Sequence, residues 1–372
     1  MGDFTSVTPH IIARESLIIL ENELVLAGLV HRNFTREFQK VGSTVSIRKP
    51  VSMTAASVSD TVNEVTPTES SVDVILNEHI DITFNVTTTD LTLSVVDFNE
   101  QLIRPAMIGH AQYVDSQIAA LHTAIAGHYR VTGTQAVGDI AELRAVQSVL
   151  KVPMQDRRCV LHPVTEAGYM KLDAFLNAHK RGDGGRALRE AEMGRVMGYD
   201  FYMDQNIKTH TGGLLSADGT GAMKGAGASA GTTCTVDAVV SGGTVNLGDK
   251  FKVTGYDEWH VVTVAATAST ATIILSFQPA FLVENVDNSV VTITDTHRAN
   301  MAFHKNCFAL VMAPLAPPIG GAAAAVVNYK NIAARVVYGY TQMTKKNLIS
   351  IDLLFGRKTL DRNLGAILVD EN

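Results

Sequence analysis

The sequence predicts an α+β chain into which a small all-β module has been inserted. Three observations predict it. Residues 97–127 carry a helical apolar stripe, while Thr44-Val-Ser-Ile-Arg-Lys, Val72-Asp-Val-Ile-Leu and Ile80-Asp-Ile-Thr-Phe-Asn-Val alternate with the period of a strand. Between residues 211 and 296 the pattern changes to short Val/Thr-rich strands separated by glycine turns. The mixed pattern then resumes at Met301-Ala-Phe-His.

The 372 residues allow two or three domains and a core that needs no disulfide staples. A hydrophobic share of 46% against 18% charged residues describes an ordered globular protein, slightly apolar for a free monomer. That surplus fits a subunit burying surface against its own copies, and it fits a large enzyme core as well. The net charge of −6 argues against a chain built to grip nucleic acid, which needs clustered Lys and Arg. Cys159, Cys234 and Cys307 are few, odd in number and far apart, so they predict reduced, partly buried thiols of a cytoplasmic product. Asp3, Arg14 and Glu15 interrupt the first apolar residues, so no secretory signal is expected. No apolar run reaches the 18 residues of a membrane span.

Residues 8–30 read as a helix, with Thr8 as N-cap and Pro9 at the first helical position. Its apolar residues cover more than one stripe, so it needs several partners. These are either the chain's own core or neighbouring subunits. The two alternating stretches that follow flank residues 51–71, a Ser/Thr/Val-rich segment with Asp60, Glu64 and Glu69 and no core pattern. A long two-stranded arm with such a tip has to lie on something else, because a lone hairpin is not stable in water.

In the segment 97–127, Asp97 and Glu100 form a capping box. Ile103, Met107, Val114, Ile118, Leu121 and Ile125 make the stripe, and Gly127 is the expected stop. Pro105 predicts a kink or a fresh helix start. At 1.5 Å per residue the whole would reach roughly 45 Å. Asp139 and Glu142 suggest a second capping box before Ile140, Leu143, Val146 and Leu150. A buried strand at Arg158-Cys-Val-Leu-His, a helix opened by Pro163 and running through Met170, Leu172 and Phe175, and a turn–strand–turn over 194–207 complete this mixed region.

The 211–296 module has the run Gly225-Ala-Gly-Ala-Ser-Ala-Gly as a flexible join. Strands are expected at 233–240, 250–254, 260–265, 271–277 and 289–294, which together suggest a small barrel or sandwich. Three lysines stand against eight carboxylates there, so the module holds −5 of the chain's charge. Trp259 is expected to anchor its core. After residues 319–328, a loose Gly/Ala connection, strands are expected at 332–340, 348–355 and 366–369.

No catalytic constellation emerges. There is no His-Glu-x-x-His, no Cys-x-x-Cys and no histidine/carboxylate cluster at metal-ligand spacing, so neither cofactor nor metal is expected. His304 near Cys307 reads as two half-buried strand-end residues. Gly225–Gly231 lacks the preceding strand, the following helix and the Gly-Lys-Ser/Thr ending of a phosphate cradle. Arg181-Gly-Asp reads as a chance turn, and Lys345-Lys346 and Arg357-Lys358 fit contacts to phosphate or acidic neighbours and solvated strand ends equally well.

Several segments resemble, in order and spacing, the major capsid proteins of tailed bacteriophages. They are Thr8-Pro-x-x-Ile-Ala-Arg-Glu, Val41-Gly-Ser-Thr-Val-x-Ile-Arg-Lys-Pro, Gly198-Tyr-Asp-Phe-Tyr, Met301–Leu315 and Phe355-Gly-Arg-Lys-Thr-Leu. The resemblance covers nearly the whole chain outside 211–296 and implies a Hong Kong 97-like fold of the branch with an inserted β-domain. It implies an N-terminal arm over 1–40, an extended β-loop and peripheral strands over 41–95, a spine helix over 96–130 and an axial domain over 131–210. The inserted domain over 211–296, an axial return over 297–328 and peripheral C-terminal strands over 329–372 complete it.

The same resemblance implies a structural, non-enzymatic subunit of hexamers and pentamers in an icosahedral head around double-stranded DNA. The DNA is enclosed without sequence-specific binding, and no membrane takes part. The head is assembled in the host bacterial cytoplasm with scaffolding protein and portal, and it matures from a procapsid. Contact candidates are Ile11, Ile12 and Glu15 in the arm, Arg48, Lys49, Glu64 and Glu69 in the loop, and Asp257 and Glu258 in the module. The alternatives are an α/β enzyme or binding protein with a β-lid, or another virion subunit such as a tail component.

Overall fold

A computed structural model describes residues 9–32, 44–49, 71–87, 102–131, 133–177, 191, 193–216, 218–256, 258–318, 323–329, 332–341, 343 and 346–371. Contacts divide the chain into two compact units, Met1–Val114 with Phe308–Leu360, and Asp115–Cys307 with Asp361–Asn372. The expected capping box at Asp97, the loop segment 51–70 and the Arg181-Gly-Asp turn lie outside the described residues.

In the first unit the 14-residue strand Lys346–Thr359 organises an antiparallel five-stranded sheet. One of its edges pairs with Glu78–Thr87 over ten positions, from Glu78 opposite Phe355 to Thr87 opposite Lys346. The other edge is shared by Phe308–Ala313 and Ile332–Thr341, and Ala323–Tyr329 pairs with the latter. The helix Pro9–Glu23 packs on these last two strands and buries Ile12, Ala13, Leu17 and Leu20 while Arg14 and Ile18 face water. The expected single helix over 8–30 is divided: it ends at Glu23, and a short turn of helix follows at Leu26–Leu29. Thr44–Arg48 pairs antiparallel with Ser71–Ile75, with Ile47 opposite Val72. The inward residues of this two-stranded arm, Val45, Ile47 and Val74, form a satellite core with Ala309 and Val311.

Pro105 is the second residue of the α-helix Arg104–Ala119, which continues directly from π-helical Leu102 and Ile103, so the helical geometry changes at the proline. The 16 residues of this α-helix span about 24 Å, and it tightens into a 3-10 turn over Ala120–Ala124. Gly127 does not stop it. That glycine opens the strand Gly127–Arg130, which runs parallel to Gly365–Asp370, where a Cβ would lie 2.6 Å from the Gly365 carbonyl. The close approach of two backbones requires the residue, not a helix C-cap.

The main sheet of the second unit has seven strands. It runs through Gly127–Arg130, Gly365–Asp370, His297–His304, Arg157–Leu161, Tyr199–Met203 and Arg195–Val196, with Thr209–His210 also pairing with His297–His304. The helix Val137–Val149 covers it with Ile140 and Leu143, and Pro163–Met170 and Asp173–Leu176 add Tyr169 and Phe175. Asp139 proves to be the third helical residue rather than the N-cap, and its Oδ2 accepts the Ala136 N–H at 2.7 Å. The His162 ring at the next helix start accepts from Val164 N instead.

Two strands sit elsewhere than the sequence reading placed them. Phe308–Ala313, read as part of the axial return, belongs to the sheet of the first unit, and Gly365–Asp370, read as peripheral, lies inside the sheet of the second. Alternation identifies a strand but carries no information about which sheet it joins.

The inserted module is a closed six-stranded barrel. Its strands follow the order Thr233–Asp237, Ile273–Gln278, Trp259–Val264, Lys250–Val253, Val290–Ile293, Thr220–Met223 and back to the first. Thr220–Met223 was not expected, because Thr-Gly-Ala-Met has no β-branched run. Closure leaves no sheet edge unpaired. Phe251, Val262, Leu275, Phe277, Val291 and Met223 fill the interior. Gly225–Gly231 is no free linker: it follows the first barrel strand, and its backbone bonds to Asn285 and Phe281. Trp259 does not anchor this core either. Its ring lies 4.2 Å from that of His128, at the junction of barrel and sheet, and His260 takes the interior place among Phe251, Phe277 and Phe281.

Candidate assembly surfaces

The base of the two-stranded arm is held by a polar lattice along Lys346–Thr359. Arg357 Nη1 donates to Glu78 Oε1 at 3.0 Å, and Tyr113 donates to the other oxygen of Glu78 at 3.4 Å. Arg335 Nε donates to Asp352 Oδ2 at 2.8 Å, its Nη2 bonds the same oxygen, and its Nη1 reaches the Ala316 carbonyl at 2.8 Å. Ser350 Oγ lies 2.5 Å from an Asp81 oxygen and 2.9 Å from an Asp352 oxygen, so its single proton serves two carboxylates. Burial acts to raise the Asp81 pKa, but hydrogen bonds donated by Ser350 and Thr83, with the neighbouring Asp352 carboxyl and the field of His110, outweigh it and hold the carboxyl below its ordinary value. His110 donates its ring N–H to the Ile351 carbonyl at 3.0 Å, and burial holds its pKa below the ordinary histidine range.

Gly356 completes the seat. A Cβ there would lie 2.3 Å from the Ile75 carbonyl oxygen, at the end of the arm strand, and 3.2 Å from Leu76 Cα just beyond it. This is the physical content of the Phe355-Gly-Arg-Lys-Thr-Leu segment: glycine for backbone approach, arginine for Glu78.

The predicted contact residues fall in different settings. Ile12 is 2% exposed and belongs to the core of the first unit, so in a single chain it offers no surface. Ile11 lies on the same helix, and Glu15 is half-buried there. Arg48 is exposed and Lys49 half-buried at the outer end of the arm strand. Glu64, Glu69 and Asp257 lie outside the described residues. Glu258 is committed within the barrel, where Oε2 accepts the Leu282 N–H at 3.1 Å and lies 3.8 Å from His260 Nε2. The sequence reading missed an apolar barrel loop in which Leu282, Val283 and Val286 are 75%, 51% and 65% exposed. Its sequence signal was three large aliphatics just after Pro279 with no strand to bury them.

Nucleophilic chemistry finds no support at Cys307. Its Sγ is fully buried and donates to the Asp361 carbonyl at 3.3 Å, and burial with the nearby Asp361 charge pushes its pKa well up. His304 Nδ1 already accepts from Asn306 N at 3.3 Å. Cys159 and Cys234 are buried as well, and burial raises both, Cys234 to about 12. An activated thiol needs the opposite shift. Among the described residues no three His, Cys, Asp or Glu side chains are grouped to hold a metal ion, and no helix is long and apolar enough to cross a membrane.

No family model matches the sequence, and no curated protein does either. Solved structures do match in shape. A chain from Mycobacterium phage Che8 superposes with a TM-score of 0.51 at 14% identity, over 93% of this chain and 90% of that one. A chain of the capsid of an empty GTA particle superposes with a TM-score of 0.51 at 9% identity, again over 93% and 90%. At such identities the likeness is one of fold. The chain has a mixed α+β, Hong Kong 97-like fold with an inserted small β-barrel.

Proposed function

We propose that this chain is a major capsid protein whose copies form hexamers and pentamers of a closed icosahedral head around double-stranded DNA. The observation that carries this reading is the fold likeness to a GTA capsid chain, which runs over 93% of the sequence rather than over one domain. The arm supports it: the ribbon of Thr44–Arg48 and Ser71–Ile75 has only a short satellite core, which suits a segment that docks on a neighbouring copy. The reading extends to an N-terminal arm over 1–40, an extended loop over 41–95 and a spine helix over 96–130. Axial and peripheral layers would surround them, with the barrel over 211–296 as an inserted domain.

On this reading Ile11, Glu15, Arg48, Lys49, Glu64, Glu69 and Asp257 are inter-subunit or scaffold contacts, joined by Leu282, Val283 and Val286. Assembly takes place in the host bacterial cytoplasm with scaffolding protein and portal, and a procapsid matures into the virion. The acidic barrel on an outer or lateral surface repels DNA and makes contacts between capsomers salt-sensitive. Purified full-length chain, alone and with a scaffolding protein, should give capsomer rings or closed shells by electron microscopy. A discrete monomer or dimer at every concentration would refute the proposal, and tubes would point to a tail component.

A further inference from the structure

Three elements of the second unit meet where the barrel leaves the sheet. The 3-10 turn Ala120–Ala124 brings His122, the short strand Thr209–His210 brings His210, and Asp249 precedes the barrel strand Lys250–Val253. His122 Nδ1 lies 2.9 Å from the Ala119 carbonyl, and His122 Nε2 lies 3.2 Å from His210 Nδ1. His210 Nε2 lies 2.7 Å from Asp249 Oδ1. Asp249 Oδ2 accepts the backbone N–H groups of Gly213 at 3.0 Å and Asn246 at 2.6 Å. None of the three side chains is more than 6% exposed.

The hydrogens in this chain can be counted. Each of its three contacts needs one proton, and the Ala119 carbonyl can supply none. Two neutral imidazoles supply two, so the chain holds a third. That third proton lies in the contact between His210 Nε2 and Asp249 Oδ1, and His210 Nδ1–H donates to His122 Nε2. His122, protonated at Nδ1, accepts at Nε2. The unit is then net neutral and every contact is made.

A fourth proton on His122 Nε2 sets one N–H against the N–H of His210. The surroundings oppose it. His210, Lys250 in the barrel and His297 on the neighbouring sheet strand act on His122 directly; His128 lies beside Lys250, His297 and Arg130, and Lys250 beside Arg362 and the acid Asp249. Burial first, then the fields of His210, Lys250 and His297, hold the His122 pKa down to about 4.

We propose that His122, His210 and Asp249 form a proton-counting latch, which fastens the barrel to the sheet with three protons and is opened by a fourth. The proposal stands on this junction alone and is independent of whether the chain builds a shell.

Hydrogen exchange on the full chain, corrected for intrinsic rates, tests it between neutral pH and about pH 4. Amides of residues 211–213 and 246–250 should lose protection by about tenfold per pH unit as pH falls from 6.5 towards 4, where the opened form holds the fourth proton and the closed form does not. Those of Ile273–Gln278 and Gly365–Asp370 should keep theirs. In His122→Gln the amide oxygen still accepts from His210 but takes no proton, so the acid step at the junction should become markedly shallower, the part that remains belonging to His297. Junction amides that lose protection together with the barrel strands, or not at all, would overturn the latch. So would an acid step as steep in His122→Gln as in the wild-type chain. If that variant is insoluble, the wild-type comparison decides alone.

Discussion

Gly356 lies directly against the backbone of Ile75: a Cβ at position 356 would be 2.3 Å from the Ile75 carbonyl oxygen. Neither atom belongs to a side chain that can turn away, so any larger residue has to move a strand. The contact sits where the arm Thr44–Ile75 returns to the long strand Lys346–Thr359, and there a single glycine sets how close the two backbones run.

Gly356→Ala is therefore expected to lower stability by about 1–3 kcal/mol, the usual range for overpacking. Gly339→Ala provides the control, since a Cβ there meets nothing within 4 Å, and should change stability by less than about 0.5 kcal/mol. Urea unfolding midpoints of the two variants read the difference. Equal midpoints would mean that the strand adjusts freely.

Ile118 and Leu121 should now separate. Ile118 is 1% exposed on the helix Arg104–Ala119, whereas Leu121 falls in the 3-10 turn and is half-buried. Ile118→Ala should cost about 2–5 kcal/mol, and Leu121→Ala clearly less because less surface leaves water. Soluble yield and unfolding midpoints are the measurement, and a larger loss at Leu121 would contradict the packing.

Arg335 and Asp352 form a largely buried pair, with side chains 18% and 5% exposed. Arg335→Met leaves the Asp352 carboxylate with the shared Ser350 hydroxyl and should cost about 3–5 kcal/mol. The double variant Arg335→Met, Asp352→Leu should recover much of that loss, because the cost lies in the orphaned charge. A double variant as unstable as the single one would argue for lost packing instead.

Acid should destabilise the second unit in a defined window. His122 and His297 are both held at about 4, by burial first, against an ordinary value of 6.5. Between those values the unfolded chain binds more protons than the folded one, so stability falls as pH drops from 6.5 towards 4. Each histidine contributes on the order of 3 kcal/mol at most. Lys250 acts at the other end. Burial and Arg362 lower it to about 7 from 10.5, so stability should rise with pH between those values, and Lys250→Met should flatten that rise. Unfolding curves across pH check both slopes.

The barrel has its own closed hydrogen-bonding and its own core, so a fragment over 211–296 is expected to unfold cooperatively. The fragment exposes Lys250, whose ammonium bonds the Ile125 carbonyl in the whole chain, so its lysine should titrate nearer the ordinary value. Thermal melts and Lys-selective titration read these two outcomes. A fragment without a cooperative melt would make the body a required part of the barrel's stability.

The mixed α+β class, the order of most elements and the inserted β-module are legible in the residues alone. Those properties rest on period and turn chemistry, which are local. Val45, Ile47 and Val74 point inward because strands alternate, and Ile103, Met107, Val114 and Ile118 share a stripe because helices repeat near 3.6. Only the tertiary structure decided that Gly127 and Gly356 serve close backbone approach, that Trp259 packs on His128 rather than inside the barrel, and that Phe308–Ala313 and Gly365–Asp370 join different sheets. The chain His122–His210–Asp249 was invisible for the same reason. Its members are separated by 88 and 39 residues and have no spacing to betray them. Local pattern reports which face of an element is apolar. Which distant element covers that face, and which polar groups are buried together, is set by packing across the whole unit.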